Sequence, residues 1–385
     1  MKKRKLRFAA LAAVAALFGG AVAGVLADCG PFTDVGAGPP NFCPFILEMY
    51  YLGITAGTSP TTFAPSEPVT RAQMSVFIAK SFDQSLSRGS RRGALGQWWT
   101  PQNTDVLGQT GIPANPQGVA SDGADIWVAH QFPSHLVTRV RASDGRLLDT
   151  WTGATRAVDA VVAMGRVFVA GNTNPGQIYM IDPTQPAGAV ATVADALGAS
   201  PNGIAFDGSR FWTANEGSVS IVTPGPAVPW AATTIATGFT QPRGIVFDGV
   251  NVWVIDTSAG LLKLDASGAI LQSVAIGSPR GVVFDGTNLW VPGNSSELTV
   301  VRASTGAVLA TLSGNGLDGA RAAAFDGQRI LVTNNNGSSA SLWKAADLAP
   351  LGSFSTGAGS SPSGACSDGV NFWITLSGTG QLARF

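Results

Sequence analysis

The chain has few charged residues, and this scarcity already excludes several kinds of protein. Of its 385 residues only 12% are Asp, Glu, Lys or Arg, whereas 45% are hydrophobic. A soluble domain usually has about a quarter charged residues, and disordered chains combine low hydrophobicity with high net charge. After the first seven residues the basic side chains are scattered, so no basic block could follow a phosphate backbone. We therefore expect a folded protein without a nucleic-acid partner.

Histidine and cysteine are also scarce, which restricts the chemistry available to the chain. There are two histidines, His130 and His135, and three cysteines. Neither a Cys/His nucleophilic pair nor a zinc cluster is indicated by these few residues. Cys366 lies within an apolar strand pattern, and we expect it to be a small buried core residue.

The first 27 residues have the pattern of an export signal. Five of the first seven residues are basic, residues 8–26 are all Ala, Val, Leu, Phe or Gly, and small residues precede a cleavage point after Ala27. We expect residues 1–27 to be a cleaved signal peptide; the alternative is an uncleaved membrane anchor, because the apolar run approaches bilayer length. Without those five basic residues, 19 basic residues face 24 acidic ones, a net charge of −5. Export predicts a secreted protein or one at the bacterial cell surface.

Export also implies an oxidising compartment, in which disulfides persist. Cys29 and Cys43 lie close together in a segment rich in Pro and Gly. A disulfide between them would close a short loop and add about 3 kcal/mol of stability by the loop-entropy estimate. We therefore predict a Cys29–Cys43 bridge.

Residues 28–83 have the pattern of a small helical module. From Phe45 to Leu52 the apolar residues fall largely on one helical face, and Gly53 then ends the helix. A second helix begins at Thr70, where Thr70 and Gln73 form a capping box in which each side chain binds the backbone N–H of the other residue. Apolar residues follow at helical spacing, namely Met74, Phe77, Ile78 and Phe82. The two segments together predict an α-helical hairpin.

Four short motifs occur in order along this module. They are Phe32-Thr33-Asp34-Val35, Leu52-Gly53-Ile54-Thr55-Ala56-Gly57, Phe63-Ala64-Pro65 and Val69-Thr70-Arg71-Ala72-Gln73-Met74. This set resembles a single S-layer homology (SLH) repeat. Members of that family attach proteins to cell-wall polysaccharide through the arginine of the Thr-Arg-Ala motif, so the resemblance implies Arg71 as the wall contact. The alternative is a folded surface module in which Thr70 and Gln73 serve only as a helix cap.

A polar stretch, residues 84–96, follows this module and has no apolar period, which is typical of a linker. From residue 97 to residue 385 one unit then recurs seven times. Most copies contain an Asp-Gly pair, and the final glycines of the seven copies stand about 41 residues apart, at positions 123, 165, 208, 249, 286, 327 and 369. A repeat of this length indicates an array of similar supersecondary units.

Each unit predicts four strands. In the fourth copy a hairpin turn at Asp248-Gly249 leads into the alternating strand Val252–Ile255, and two further strands follow before the next copy. Four strands per unit are typical of propeller blades, because one such sheet cannot bury both of its faces alone. We predict a mainly β protein, a seven-bladed β-propeller over residues 97–385. The last copy ends after its third strand, so residues 97–111 are expected to supply the missing outer strand and close the ring.

The repeats resemble those of the NHL, YncE and SMP-30 group of bacterial propellers. The motif that carries the resemblance is Pro-x-Gly, two apolar residues, and Asp-Gly after one more residue, as in Pro242 to Gly249. It implies the fold more than the activity, since the group includes lactonases, lyases and binding scaffolds. One aromatic position recurs in the second strand, and we interpret it as packing between blades rather than as a carbohydrate-stacking ring; it holds Trp127, Trp212, Trp253, Trp290 and Trp373.

Polar residues at the start of each inner strand are expected to converge at one mouth of the propeller channel. Three consecutive copies place arginine there, Arg243, Arg280 and Arg321, and Asn202 and Gln117 occupy equivalent positions. Guanidinium groups could clamp a carboxylate, sulfate or phosphate; the alternative is that each arginine pairs with a neighbouring carboxylate. The leading interpretation is a monomeric, non-catalytic binding or scaffold protein without a cofactor, whose mouth binds an anionic small molecule, a glycan or a partner protein.

The alternative is a propeller enzyme. Glu216, Asp256 and Asn215 carry oxygen ligands of the kind that Ca²⁺ prefers, and they resemble in type the metal ligands of SMP-30-like lactonases. His130 or Asp159 would then be the general base. A lyase-like activity has weaker support, because the related lyases need a histidine late in the chain and none follows His135.

Overall fold

The computed structural model describes residues 29, 31–35, 42–51, 53–87, 108–294 and 296–385. The predicted signal peptide, residues 1–27, lies outside these residues. The chain divides into two compact units, Met1–Gln97 and Trp98–Phe385. A helix long and apolar enough to cross a membrane is not found within the described ranges.

The first unit contains two helices and a small core. Helix α1 is Cys43–Tyr51 and helix α2 is Arg71–Ser87. Cys29 and Cys43 form a disulfide with their Cα atoms 5.4 Å apart. The bridge lies in a hydrophobic cluster with Phe32 and Ile46, and Tyr50 and Phe63 pack against it.

Two of the sequence motifs in this unit are joined by one carboxylate. Asp34 accepts the backbone N–H of Phe63 at 2.9 Å and that of Ala64 at 2.7 Å. The hydrogen bond from Phe63 is the largest cause that lowers the pKa of Asp34; desolvation opposes it, and the hydrogen bond from Ala64 adds to the lowering. The motif residues around Asp34 therefore fix the turn that precedes α2.

The capping box at the start of α2 is confirmed. The Thr70 hydroxyl accepts the N–H of Gln73 at 3.2 Å, and the Gln73 side chain accepts the N–H of Thr70 at 2.9 Å. The arrangement as a helical hairpin is not shown, however, because Met74 and Ile78 on the expected buried face are 48% and 50% exposed. The helix continues to Ser87, within the stretch 84–96 that the composition assigned to a linker.

The second unit is a seven-bladed β-propeller with four antiparallel strands in each blade, as the repeats predicted. Its inner strands are β2 (Pro116–Ser121), β6 (Ala157–Ala163), β10 (Gly203–Phe206), β14 (Pro242–Phe247), β18 (Val283–Phe284), β22 (Ala320–Phe325) and β26 (Pro362–Ser367). Blades are numbered here in this order. The second strands are β3 (Asp125–His130), β7 (Arg166–Gly171), β11 (Phe211–Asn215), β15 (Val252–Asp256), β19 (Asn288–Gly293), β23 (Arg329–Asn334) and β27 (Phe372–Leu376).

The outer half of each blade is formed by the next two strands. The third strands are β4 (Leu136–Arg141), β8 (Gly176–Ile181), β12 (Ser218–Thr223), β16 (Gly260–Leu264), β20 (Glu297–Arg302), β24 (Ser339–Lys344) and β28 (Gln381–Arg384). The outermost strands are β5 (Leu147–Thr152), β9 (Ala191–Leu197), β13 (Ala231–Ile235), β17 (Ile270–Val274), β21 (Val308–Leu312), β25 (Pro350–Ser355) and, in the seventh blade, β1 (Gly108–Gly111).

The seventh blade is completed from the other end of the propeller chain. Strand β1 pairs antiparallel with β28, so that Gly108 lies opposite Arg384 and Gly111 lies opposite Gln381. The Thr110 hydroxyl also donates to the carbonyl of Gly145 in blade 1, at 2.6 Å. The first strand of the unit thus covers the edge of the last blade and contacts the first blade.

The inner strands of neighbouring blades pack side by side around the whole ring. Two glycines show how close this packing is. A Cβ atom on Gly203 would lie 2.5 Å from the carbonyl oxygen of Arg243, and one on Gly281 would lie 2.5 Å from that of Arg321. Only a residue without a side chain allows these backbones to approach, so glycine is required where neighbouring inner strands come this close.

The recurring tryptophans pack one blade on the next, which confirms the packing interpretation. All five are fully buried, and Trp253 of blade 4, for example, contacts Leu289 and Val291 of blade 5 in one cluster. The indole N–H of Trp253 donates to the Asp248 carboxylate at 2.7 Å. The same bond joins Trp127, Trp212, Trp290 and Trp373 to the aspartate five residues earlier.

Candidate functional site

The mouth of the channel is the end at which the inner strands begin. Arg243 lies in β14, Arg280 lies three residues before β18, and Arg321 lies in β22. The pairing of β14 and of β22 with their neighbours shifts register directly after the first residue, so both arginines lie in a β-bulge. A bulge turns a side chain out of the regular alternation of a strand, which allows these arginines to face the channel.

The three arginines lie close enough to affect one another. Burial and the charge of Arg243 lower the pKa of Arg280. Burial, followed by the charges of Arg280 and Arg243, lowers the pKa of Arg321. Like charges held together disfavour the protonated form, and a nearby anion would relieve that repulsion. The three therefore form one cluster, which we call the arginine arc.

Among the residues that the structure describes, no carboxylate neutralises the arginine arc. The ion pairs among the described residues involve other cations, and none includes Arg243, Arg280 or Arg321. The Nε atom of Arg243 is buried and has no hydrogen-bond partner in the described part of the chain. The alternative expectation, that each arginine pairs with a neighbouring carboxylate, is therefore wrong for the described residues.

A series of hydrogen bonds through two amide side chains supports one end of the arginine arc. Arg321 donates to the side-chain oxygen of Gln117 at 2.9 Å, and Gln117 donates in turn to the side chain of Asn115 at 2.7 Å. Asn115 then donates to the carbonyl of Phe132 at 2.8 Å. Gln117 thus orients a guanidinium group from a blade two positions away in the ring. Sequence reasoning missed Asn115, although its place next to Pro116 marked it as near the mouth.

Other amides at the mouth connect adjacent blades. Asn202 donates to the carbonyl of Pro242, at 3.3 Å, and Asn172 donates to the carbonyl of Pro201, at 3.0 Å. In each pair the acceptor is the proline that precedes or begins the inner strand of the following blade. Asn202 therefore has a structural role at the mouth, in addition to the binding role that its position predicted.

Asp159 places a carboxylate on the far side of the ring from the arginine arc. It accepts the N–H of Ala160 at 2.9 Å and the N–H of Ile204 in blade 3 at 3.0 Å. Burial raises the pKa of Asp159 to about 6, and these two hydrogen bonds only partly oppose the effect. Among the residues proposed as a general base, Asp159 is the one with a pKa close to neutrality.

Asp256, predicted as a metal ligand or catalytic residue, serves as a loop clamp. Its Oδ2 accepts the N–H groups of Thr240 and Gln241, and its Oδ1 accepts those of Ser258 and Ala259, at 2.7–3.1 Å. The side chain is fully buried. With four backbone donors satisfied, the carboxylate holds the loops on both sides of β15 and does not point to an open position.

The other residues of the metal hypothesis, Asn215 and Glu216, differ in their exposure and contacts. Asn215 is fully buried and hydrogen bonds to Ser218, Ser220 and Thr213, whereas Glu216 is exposed. Within the described ranges no group of three or more His, Cys, Asp or Glu side chains is placed to share a metal ion. Asp256 and Asn215 therefore have their side-chain polar atoms engaged within the protein, and Ca²⁺ binding stays a prediction.

His130, the other proposed base, is held in the interior. One ring nitrogen lies 2.9 Å from the Thr138 hydroxyl, and the other lies 3.4 Å from the carbonyl of Ala114. Burial lowers the pKa of His130 to about 4, so the ring is neutral near pH 7. Its contacts fix the end of β3, and the side chain is fully buried.

Arg71, predicted to contact the cell wall, lies in the first turn of α2 and is exposed. Its backbone carbonyl accepts the Ser75 hydroxyl at 2.8 Å, and no described residue pairs with its guanidinium group. The capping box next to it fixes the start of the helix, so the guanidinium group is offered to solvent from an ordered position.

Comparison with known families identifies the first unit. Residues 31–75 match the S-layer homology domain. A domain of this family indicates a protein associated with the surface layer or the cell envelope, and such domains generally bind cell-wall polymers. No curated protein matches the chain.

Comparison with solved structures identifies the class of the second unit as a propeller. The chain is similar to a streptogramin B lyase structure, with a TM-score of 0.59 and 12% identity over 72% of this chain and 96% of that one. It is also similar to Kuenenia stuttgartiensis hydrazine synthase, with a TM-score of 0.60 and 17% identity over 75% of this chain and 98% of that one. At these identities the likeness concerns the fold alone, and the NHL, YncE or SMP-30 subtype stays a prediction.

Proposed function

We propose that this is an exported protein of the cell envelope that binds an anionic ligand at the mouth of its propeller without catalysing a reaction. The observation that carries the proposal is the arginine arc, in which burial and the neighbouring guanidinium charges lower the pKa of Arg280 and of Arg321, and no carboxylate among the described residues pairs with any of the three arginines. Protein folding alone does not favour such a cluster, because like charges repel. An anionic ligand offsets that repulsion and satisfies the free donors.

The chemistry of the mouth favours a carboxylate, sulfate or phosphate group carried by a small molecule, a glycan or a protein partner. Each guanidinium group of the arginine arc presents several N–H donors in a rigid planar arrangement, which matches the oxygens of a planar or tetrahedral oxyanion. Gln117 and Asn202 lie at equivalent positions of the ring, so a bound molecule would also meet amide groups. A calcium-dependent reaction has less support, since both oxygens of Asp256 already accept backbone N–H groups.

Replacing Arg243 and Arg280 together by Ala is expected to weaken the binding of glucuronate or sulfate to the mouth at least about a hundredfold. Each lost hydrogen bond between charged groups costs about 1.5–3 kcal/mol of binding free energy. Calorimetric titration at low ionic strength measures the change. The melting temperature is expected to change little, because both side chains are only half-buried and neither forms an ion pair with a described residue.

The matched control is Arg141→Ala with Lys344→Ala, which removes the same charge from two cations that pair with aspartates on the surface. This control is expected to bind anions as the parent protein does. If the double mouth variant keeps the parent affinity, or if it unfolds, the arginine arc is part of the fold and the binding proposal is wrong.

For the first unit we propose attachment to cell-wall polysaccharide through Arg71. The Arg71→Ala protein is expected to sediment with purified cell walls about tenfold less, because one charge-assisted contact to an acidic glycan is lost. Thr70→Ala is the control, since it removes the helix cap and leaves Arg71 in place. Equal loss in both variants would favour the helix-cap interpretation, and wall retention by the propeller alone would contradict attachment through this unit.

A further inference from the structure

A cleft on the face opposite the mouth separates blades 4 and 5. Its volume is about 460 Å³, and it is partly open to solvent. Two cations line it, Lys263 from β16 and Arg302 from β20. Asp248 lies in the turn after β14, at the far end of that strand from the mouth, and it also lines the cleft. We call this cavity the inter-blade cleft.

The repeats of the chain show what is unusual about Lys263. It donates to the carbonyl of Ala303 in the next blade at 3.3 Å and lies over the Trp253 ring. Arg139 does the same in blade 1, where it donates to Pro183 of blade 2 and lies over Trp127. Arg139, however, also pairs with two carboxylates, those of Asp125 at 2.6 Å and Asp149 at 3.9 Å.

At the positions equivalent to these two aspartates, the residues around Lys263 carry amide side chains. Asn251 stands two residues after the turn glycine, where blade 1 has Asp125. Gln272 lies opposite Lys263 across the strand pair, as Asp149 lies opposite Arg139. Lys263 consequently forms no ion pair with a described residue, in contrast to its counterpart.

Arg302 likewise lacks the acidic partner that the equivalent cations of other blades have. In blade 1 Arg141 pairs with Asp144 three residues later, at 3.1 Å, and in blade 6 Lys344 pairs with Asp347, at 2.7 Å. The turn after Arg302 is Arg-Ala-Ser-Thr-Gly, identical to the blade 1 turn except that Thr305 replaces the aspartate. The guanidinium group of Arg302 has no hydrogen-bond or ionic partner among the residues that the structure describes.

The remaining carboxylate in the cleft is already engaged. Asp248 accepts the N–H groups of Val250 and Asn251 with one oxygen and the indole N–H of Trp253 with the other. Two cations therefore share the cleft with one carboxylate whose oxygens face the protein. Thr287 and Ser304 also line the cavity, and each carries a hydroxyl group that could donate to a ligand.

We propose that the inter-blade cleft is a second anion-binding site, which takes an oxyanion group between Lys263 and Arg302. The positions whose aspartates neutralise the equivalent cations in blades 1 and 6 hold the neutral residues Asn251, Gln272 and Thr305 here. Lys263 and Arg302 are therefore available to an external anion. The site is independent of the arginine arc, which lies at the other end of the inner strands. Inorganic phosphate, sulfate and the carboxylate of a uronic acid share the required chemistry.

The test is a calorimetric titration of the full chain carrying Arg243→Ala and Arg280→Ala, so that the mouth does not contribute. Inorganic phosphate, sulfate and glucuronate are titrated separately at low ionic strength, and at least one is expected to bind saturably. Arg302→Gln is expected to weaken that binding about tenfold or more, because a charge-assisted contact is lost. Arg141→Gln, at the equivalent position of blade 1, is expected to leave it unchanged.

A second variant gives the cation an internal partner without removing it. Thr305→Asp recreates the blade 1 turn, in which the residue at this position also accepts the N–H two residues later. It is expected to fold and to weaken anion binding as much as Arg302→Gln, whereas the neutral Thr305→Asn keeps the affinity. Absence of saturable binding, or binding that Thr305→Asp and Arg302→Gln leave unchanged, would overturn the proposal.

Discussion

A chain that begins after Asn115 is expected to aggregate or to melt at a much lower temperature than one that begins at residue 95. The shorter chain lacks β1, the outermost strand of the seventh blade. Each backbone hydrogen bond contributes about 1 kcal/mol net, so losing the whole strand costs several kcal/mol. It also leaves β28 as an open edge, which favours pairing with other chains. Thermal unfolding and size-exclusion chromatography measure both effects.

Thr110→Val is the control for this truncation. It removes the hydroxyl that donates to Gly145 and keeps the strand pairing, so a loss of only about 1 kcal/mol is expected. Equal stability of the long and short chains would mean that β1 does not close the ring, and the account of the seventh blade given above would be wrong.

Trp253→Ala is expected to destabilise the propeller by about 3–5 kcal/mol, the usual cost of removing a large buried aromatic side chain. Trp253 is fully buried between blades 4 and 5, and its indole N–H donates to Asp248. Denaturant unfolding measures the loss. The more informative variant is Trp253→Phe, which keeps most of the apolar contact but removes the donor, at an expected cost of about 1–3 kcal/mol.

Trp343→Phe is the matched control for this substitution. Trp343 is 2% exposed, but its indole N–H has no hydrogen-bond partner among the described residues. The Phe variant at this position therefore loses volume without leaving an acceptor unpaired, and it is expected to cost less than Trp253→Phe. If the two Phe variants cost the same, the bond between tryptophan and aspartate contributes nothing to stability.

The repeat accounts for most of what could be predicted about the fold. The turn glycines mark the hairpins. The Asp-Gly pair recurs before the alternating strands because the aspartate accepts backbone N–H groups of the turn and the glycine adopts its positive φ. The spacing of five residues between Asp248 and Trp253 was also visible in every copy that has both residues, and it could have predicted the hydrogen bond between them. These are local relations, which a sequence records directly.

The candidate site was predictable only in part. The three arginines follow from the repeat position, but the sequence left open whether carboxylates neutralise them. Gln117 and Arg321 lie 204 residues apart, and their hydrogen bond exists because the ring brings blade 6 close to blade 1. Asp256 is a residue type that commonly binds metal ions, yet the backbone N–H groups of Thr240 and Gln241 donate hydrogen bonds to its carboxylate.

The sequence by itself determined the number of blades, the four strands in each, the buried tryptophans and the SLH motifs, because each depends on residues close together in the chain. The tertiary structure decided which charges remain unpaired. Arg243, Arg280 and Arg321 converge only when the inner strands close around the channel, and Lys263 and Arg302 line one cleft only because blades 4 and 5 face each other. Whether a charge is neutralised depends on what the fold places within a few ångströms of it, since Coulomb interactions act through space and not along the chain.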